Sequence, residues 1–236
     1  MSRTVATWTV NALRVRLPHL TEWLAANPVD AIALQETKLP DSDFPAADLQ
    51  ALGWNSAFSG QRTYNGVAIL SREPATDVVA GIPGFDDEQR RVLAASLGSL
   101  RVIDVYVPNG QTVGSDKFAY KLRWFDALRE YVAAELTRHP HLVVLGDFNV
   151  APEDRDVHDP KAWEGSVHVS PPERAALQAL LGTGLADCFR LFEQPEKSYS
   201  WWDYRMMAFR RNAGLRIDLI LASNALAQKC GSCHID

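Results

Sequence analysis

Apolar residues along this chain fall into short runs, and the spacing within each run predicts an element. Residues 5–10 read as a short strand. Leu13, Leu17, Leu20 and Leu24 then recur at helical spacing through Ala25-Ala26, until Asn27-Pro28 stops the helix. Residues 31–34 form a buried strand ending in Gln35-Glu36, and residues 66–70 another, preceded by Tyr64-Asn65. Residues 92–95 and 101–107 read as a strand pair around Gly98-Ser99. Phe118, Leu122, Phe125, Leu128, Val132 and Leu136 mark a long amphipathic helix, and the run 142–145 follows it. Ser170-Pro171-Pro172-Glu173 is a helix start, with Ser170 as N-cap and prolines in the first turn, and this helix runs to Gly182. Residues 199–202 and 217–221 are the last clear strands. Strands and helices alternate, but several strands follow one another directly, which predicts a single layered domain over residues 1–236 with mixed sheets.

The strand ends carry the polar residues. Residues 142–145 run straight into Gly146-Asp147-Phe148-Asn149. In an extended chain, residues i and i+2 point to the same face, so Asp147 and Asn149 can converge on one metal, water or phosphoryl oxygen. An Asp/Asn-rich turn after a strand accounts equally well for this segment taken alone. Asn11 follows the first strand, Glu36 the second, and Tyr106 and Asn109 close the 101–107 strand. Asp218 lies inside Leu215-Arg216-Ile217-Asp218-Leu219-Ile220-Leu221, where an ionised carboxylate is costly unless it is paired or binds a metal. Glu36, Asp147 and Asp218 with Asn11 and Asn149 make an oxygen-rich donor set, which suits Mg²⁺ or Mn²⁺ and phosphoryl chemistry rather than zinc.

Composition changes this picture little. The 236 residues are 47% hydrophobic and 22% charged, ordinary for a globular protein with a sizeable core. No apolar run approaches the ~20 residues of a membrane span, and the first residues lack a signal peptide's apolar stretch. Three cysteines, Cys188, Cys230 and Cys233, argue for a reducing, cytoplasmic setting. Cys230-x-x-Cys233 lacks the second ligand pair of a zinc knuckle, and Cys-x-x-Cys-His at a chain end without an export signal argues against haem. A net charge of −5 argues weakly against non-specific nucleic-acid binding, so what matters is a local basic face. Candidates are Arg90-Arg91 and the group Arg205, Arg210, Arg211 and Arg216, whereas Lys121 and Arg123 read as a solvated helix face.

Eight blocks, in order, resemble exodeoxyribonuclease III-type AP endonucleases of the endonuclease/exonuclease/phosphatase superfamily. They are Trp8-Thr9-Val10-Asn11-Ala12-Leu13-Arg14, Leu34-Gln35-Glu36-Thr37-Lys38, Tyr64-Asn65-Gly66-Val67-Ala68, Gln89-Arg90-Arg91, Tyr106-Val107-Pro108-Asn109-Gly110, Gly146-Asp147-Phe148-Asn149-Val150-Ala151-Pro152, Ser200-Trp201-Trp202-Asp203-Tyr204-Arg205 and Gly214-Leu215-Arg216-Ile217-Asp218. The resemblance implies an α/β (α+β) fold, a four-layer α/β/β/α sandwich of two packed mixed sheets. It implies Mg²⁺-dependent cleavage (Mn²⁺ as the alternative ion) 5′ to abasic sites, with 3′-exonuclease or 3′-phosphatase activity. The partner would be double-stranded DNA with an abasic site or a 3′ end, met by a monomer away from membranes. By match to the motifs, Glu36 is the main metal ligand with Asn11 in its shell. Asp147 orients or deprotonates the attacking water, and Asn149 and Tyr106 donate to the phosphate, with Asp218 among the catalytic set. Arg90, Arg91, Asn109, Trp201, Leu215 and Ile217 would contact DNA, the last three walling a pocket for a flipped abasic sugar.

The sequence departs from the pattern at three places. Thr9 stands where the family usually has an Asn, keeping a hydroxyl but losing the amide and its reach. Ala12 replaces a usual Gly, a change expected to matter less. The family continues past the aspartate matched by Asp218 to a Ser-Asp-His motif absent from this chain, and no His present substitutes for it. These departures imply an impaired enzyme lacking its last strands, with apolar surface bared beside the 217–221 strand. The alternatives are a non-catalytic abasic-DNA-binding relative and a phosphoesterase of the same superfamily acting on a non-DNA substrate.

Overall fold

A computed structural model describes residues 2–236, which form two compact units. The first holds the chain up to Tyr106 together with His141–Asp147. Its strands are β1 (Val5–Thr9), β2 (Ala31–Gln35), β3 (Asn55–Ser59), β4 (Val67–Ser71), β5 (Thr76–Ala80), β6 (Val92–Leu97), β7 (Leu100–Tyr106) and β8 (Leu142–Asp147), and its helices α1 (Leu13–Ala26) and α2 (Ala46–Ala51). One sheet runs β1-β2-β4-β3 and the other begins β5-β6-β7-β8. Each mixes parallel pairs, β1 with β2 and β7 with β8, with antiparallel ones. The two sheets pack face to face through β2 and β4 against β7 and β6.

Alternation along β2 assigns the faces. Ile32 and Leu34 join Leu13, Leu20 and Leu24 of α1 in one buried cluster, so α1 covers the outer face. Ala31, Ala33 and Gln35 turn the other way, toward the second sheet, where Gln35 Nε2 donates to Asp104 Oδ1 at 2.7 Å. Asp104 is fully buried, and desolvation pushes its carboxyl well above the usual carboxylate range, against the pull of its hydrogen bonds. Among the described residues its Oδ2 has no hydrogen-bond partner.

The second unit holds Val107–Pro140 and Phe148–Asp236. It contains α3 (Asp116–Arg138), α4 (Pro160–Trp163), α5 (Pro171–Leu181) and α6 (Asn224–Ala227), with β9 (Leu185–Asp187), β10 (Trp201–Trp202), β11 (Gly214–Leu215) and β12 (Asp218–Ser223). Helices α3 and α5 pack on each other. At the start of α5 the expected cap is present as a full capping box, Ser170 and Glu173 each accepting from the other's backbone N–H.

Two expectations need correction here. The apolar strip expected beside the 217–221 strand is not bare: β9 pairs antiparallel with β12 through Leu185↔Ser223 and Asp187↔Leu221, and Leu219, Leu221 and Ala222 are buried. Arg216 does not belong to a basic face. It is 1% exposed, and its guanidinium bridges Asp156 and Asp187 at 2.7 Å each. No helix among the described residues is long and apolar enough to cross a membrane. The short elements β3, β5, α2, α4, α6 and β9 were not predicted; β5, for instance, is largely exposed and carries no buried face to set a pattern.

Candidate active site

In the first unit, the ends of β1 and β2 are stitched together by backbone bonds from Val10 to Gln35, Ala12 to Glu36 and Leu13 to Thr37. Thr37 and Lys38 donate in turn to Gly66 and Asn65. Gly66 has φ +93°, and a Cβ there would lie 2.1 Å from Thr37 Oγ1, so the Tyr64-Asn65-Gly66 motif closes on the Glu36 loop only with glycine. Asn11, Ala12, Glu36 and Lys38 all hold left-handed backbone, with φ of +46°, +80°, +55° and +56°. Each such non-glycine residue costs on the order of 1–3 kcal/mol, and such strain clusters where a side chain must be aimed. At Ala12 a glycine would hold φ +80° without this strain.

The aimed groups converge on one cation. Lys38 Nζ lies 3.1 Å from Glu36 Oε2 and donates to Asn11 Oδ1 at 2.5 Å. The two oxygens assigned to a metal thus already share a positive charge. The Tyr106 hydroxyl, at the end of β7, donates to Glu36. Burial pushes its phenol far up, and the charges of Glu36 and Asp147 push it further, so it remains a neutral donor. The Arg91 guanidinium sits 4.5 Å over the Tyr106 ring and donates to the Tyr106 carbonyl at 3.1 Å. Arg90 is exposed, and its backbone N–H is anchored on Gln61. Asp147, 6% exposed, ends β8. The preceding Gly146 pairs with Val105 so closely that a Cβ would lie 2.0 Å from the Val105 carbonyl oxygen. Thr9 donates its hydroxyl to Gln35 Oε1 at 3.3 Å.

In the second unit, Asn149 has φ +50° and is 5% exposed, and its Nδ2 donates to the Val107 carbonyl at 2.8 Å. Its own carbonyl accepts from Lys121 Nζ at 2.7 Å and is 2.6 Å from His168 Nδ1. A carbonyl can only accept, so Nδ1 carries the imidazole proton. Burial and then the Lys121 charge lower His168 to a pKa of about 4, which keeps the ring neutral. Lys121 is therefore no solvated residue: it is 0% exposed and paired with Glu173 at 2.5 Å. The sequence hid this because Lys121 falls among the apolar positions of α3 without being apolar.

The remaining predicted residues divide by exposure. Asn109 is exposed, and its Oδ1 caps Gln111 N. Asp218 opens β12, half-buried, with its backbone N–H on Ser200 Oγ at 3.0 Å. Trp201 is half-buried, pairs with Leu215 in register, and packs with Trp163 on the cluster of Ala151, Val157, Val169, Leu215 and Ile217. Leu215 and Ile217 are only 1% and 2% exposed. The His168 ring lies 6.2 Å from Trp201 and 6.3 Å from Trp163, centroid to centroid. All three cysteines are free, and among the described residues no three His, Cys, Asp or Glu side chains are arranged to hold a metal.

The sequence profile of the endonuclease/exonuclease/phosphatase family matches residues 6–236. The chain belongs to this family. It is 35% identical over 234 residues to exodeoxyribonuclease III of Haemophilus influenzae, covering 94% of this chain and 88% of the relative. Among solved structures it resembles the 3′ phosphatase NExo from Neisseria, in a structure bound to a product DNA hairpin. That match has 50% identity and a TM-score of 0.94, over 96% of this chain and 89% of the other. It also resembles an AP endonuclease from Archaeoglobus fulgidus at 37% identity and a TM-score of 0.95, over 100% of this chain and 92% of the other. The α/β fold class with two packed mixed sheets is thus the family's own. Family membership also gives Lys38 a context: it is the last residue of the Leu34-Gln35-Glu36-Thr37-Lys38 block, yet only the structure shows it lying between Glu36 and Asn11.

Proposed function

We propose that this protein is a divalent-cation-dependent DNA-repair nuclease that hydrolyses phosphoester bonds at the 3′ ends of duplex DNA. The observation that carries the reading is the convergence of Glu36 and Asn11 on a single cationic centre, with Tyr106 donating to the same carboxylate. One carboxylate and one amide oxygen fit a hard ion that keeps most of its waters, as Mg²⁺ does. When bound, such an ion supplies charge stabilisation to the phosphoryl oxygens. The chain's own residues do the rest. Asp147 orients the attacking water or takes its proton, and Tyr106 donates a hydrogen bond as charge develops on the phosphate. Asn149, two residues beyond Asp147 along the chain, is the second such donor, and Asp218 completes the catalytic set.

DNA is the partner expected of a chain that resembles exodeoxyribonuclease III and a DNA-bound 3′ phosphatase. Arg90 and Arg91 suit the phosphate backbone. So does segment 204–211, exposed apart from Ala208, where Arg205, Arg210 and Arg211 interleave with exposed Tyr204, Met206, Met207 and Phe209. Basic residues there reach phosphates, and apolar ones can wedge into a groove. Activity at 3′ ends is favoured over incision at internal abasic sites by one observation. Leu215 and Ile217 are buried beneath Trp163 and Trp201, so an extruded sugar would have to displace packed side chains to reach them.

Duplexes ending in a 3′-phosphate, nicked with a 3′-hydroxyl, or carrying an internal abasic analogue should be compared with Mg²⁺ and with chelator. Turnover is expected only with the metal, and fastest on the 3′-blocked end. Abasic incision as fast as 3′ release overturns the substrate preference. Binding without hydrolysis of any of the three supports the non-catalytic alternative. Hydrolysis of small phosphoesters, with DNA affinity indifferent to salt, supports a non-DNA phosphoesterase.

A further inference from the structure

Lys121, on the second turn of α3, has its ammonium 0% exposed. It donates to the backbone carbonyls of Asn109 at 3.1 Å and Asn149 at 2.7 Å, and to Glu173 Oε1 at 2.5 Å. Its stem is gripped as well: a Cβ on Gly110, at φ +89°, would lie 2.9 Å from Lys121 Cδ, so the 107–110 loop closes against the lysine. Glu173 is also fully buried, and accepts from His168 N, Ser170 N and Ser170 Oγ at 3.0, 3.2 and 2.5 Å. One carboxylate therefore caps α5 and neutralises Lys121. A buried ion pair of this kind adds little net stability, because desolvating both charges offsets their attraction. An apolar pair of similar volume would fill the same space. What an apolar pair could not do is bind two carbonyls from separate loops at once.

Those two loops carry Asn109 and Asn149, and Asn149 is held in left-handed backbone with its side-chain amide on Val107 O. We infer that Lys121 is a positioning residue: its ammonium, neutralised by Glu173, ties the Asn109 and Asn149 carbonyls together and so sets the Asn149 amide before substrate arrives. The inference rests on the reading of Asn149 as a phosphate donor. His168 braces the same Asn149 carbonyl from its Nδ1 and meets Asn109 Nδ2 at 3.4 Å, so the two asparagines are joined twice. A residue preset in this way lowers the barrier without altering how tightly the ground state binds.

The test is the double variant Lys121→Met/Glu173→Gln, which removes both charges together and so avoids leaving one buried alone. On a 3′-phosphate duplex, kcat is expected to fall about 10–100-fold, with KM within about threefold of wild type. Added to Asn149→Ala, the same pair should cost less than about threefold, because the group it positions is already gone. An unchanged kcat, or full additivity with Asn149→Ala, overturns the inference. Should the double variant fail to fold, Lys121→Arg keeps the charge and the pair but cannot place one compact ammonium on both carbonyls; wild-type kcat in it overturns the inference too. If Asn149→Ala itself keeps wild-type kcat, the phosphate-donor reading falls. A crystal structure of the double variant then decides the positioning separately. Asn149 shifted off the Val107 carbonyl supports it, and an unmoved Asn149 refutes it.

Discussion

Glu36 in the first unit and Asn149 in the second both follow strand ends and both hold left-handed backbone, at φ +55° and +50°. They are secured by opposite means. Glu36 keeps 22% of its side chain exposed and shares a lysine ammonium that is itself 29% exposed. Asn149 is buried, and the ammonium that braces its carbonyl is fully enclosed and paired with an enclosed carboxylate. The first arrangement is open to solvent, so a hydrated ion has access to the oxygens that Lys38 now holds. The second cannot exchange anything without repacking α3 against α5. The Glu36 carboxylate is thus left near solvent beside an accessible ammonium, while the Asn149 carbonyl is held from behind by an enclosed one.

Removing one partner should expose the contrast most sharply. Lys121→Met alone leaves Glu173 charged and buried, and is expected to cost about 3–5 kcal/mol of folding stability, read by denaturant unfolding. Lys38→Met, at the exposed pair, should leave the unfolding midpoint almost unchanged; equal destabilisation by the two would erase the distinction. Next in size, Glu36→Gln should lower kcat/KM by about 10²–10³-fold, comparable to losing a key charge-stabilising contact. Its unfolding curve should stay close to wild type, and a nuclease that tolerated it would have its cation elsewhere.

The enclosed side should also respond to acid. An unfolded imidazole titrates near 6.5, whereas burial and the Lys121 charge bring folded His168 to about 4. Between those values the unfolded chain binds more protons. Stability should therefore rise with pH through this window, be complete above about 6.5, and decline by up to about 3 kcal/mol as pH falls toward 4. Thermal midpoints across pH 4 to 7 should show this slope, and His168→Asn should flatten it. The smallest effect belongs to the exposed cation. Removing the Lys38 charge should lower the Mg²⁺ concentration needed for half-maximal turnover by about fivefold, near the 1 kcal/mol of a unit charge at contact distance in water. An unchanged Mg²⁺ dependence would mean Lys38 does not compete for those oxygens.

How much of this was legible beforehand varied by residue. The strands around Ile32-Leu34, Ile69-Leu70 and Val143-Leu145 were readable because buried strands are continuous apolar runs with turn residues at their ends. Glu36 and Asp147, which follow two of these runs, were readable for the same reason, and Asn11 because it follows the first strand. Strands such as Asn55–Ser59 and Leu185–Asp187 were not, since three to five residues of mixed polarity carry no period to detect. Lys121 and Arg216 were misread because composition assigns a charged side chain to the surface by default. Each is buried because a carboxylate distant in sequence, Glu173 or Asp156, arrives beside it.

By itself, the sequence determined the strands built on continuous apolar runs, such as those of residues 31–34 and 142–145, and the oxygen-bearing side chains Glu36 and Asp147 at their ends, since these follow from local periodicity and turn chemistry. The eight ordered blocks also determined the family. Tertiary structure alone decided which charges meet. It placed Lys38 between Glu36 and Asn11, put Lys121 behind Asn149, closed Leu215 and Ile217 beneath tryptophans, and laid Leu185–Asp187 along the edge expected to be bare. Electrostatic and packing partners depend on distance in space, and local sequence pattern does not report on a residue brought in from fifty positions away.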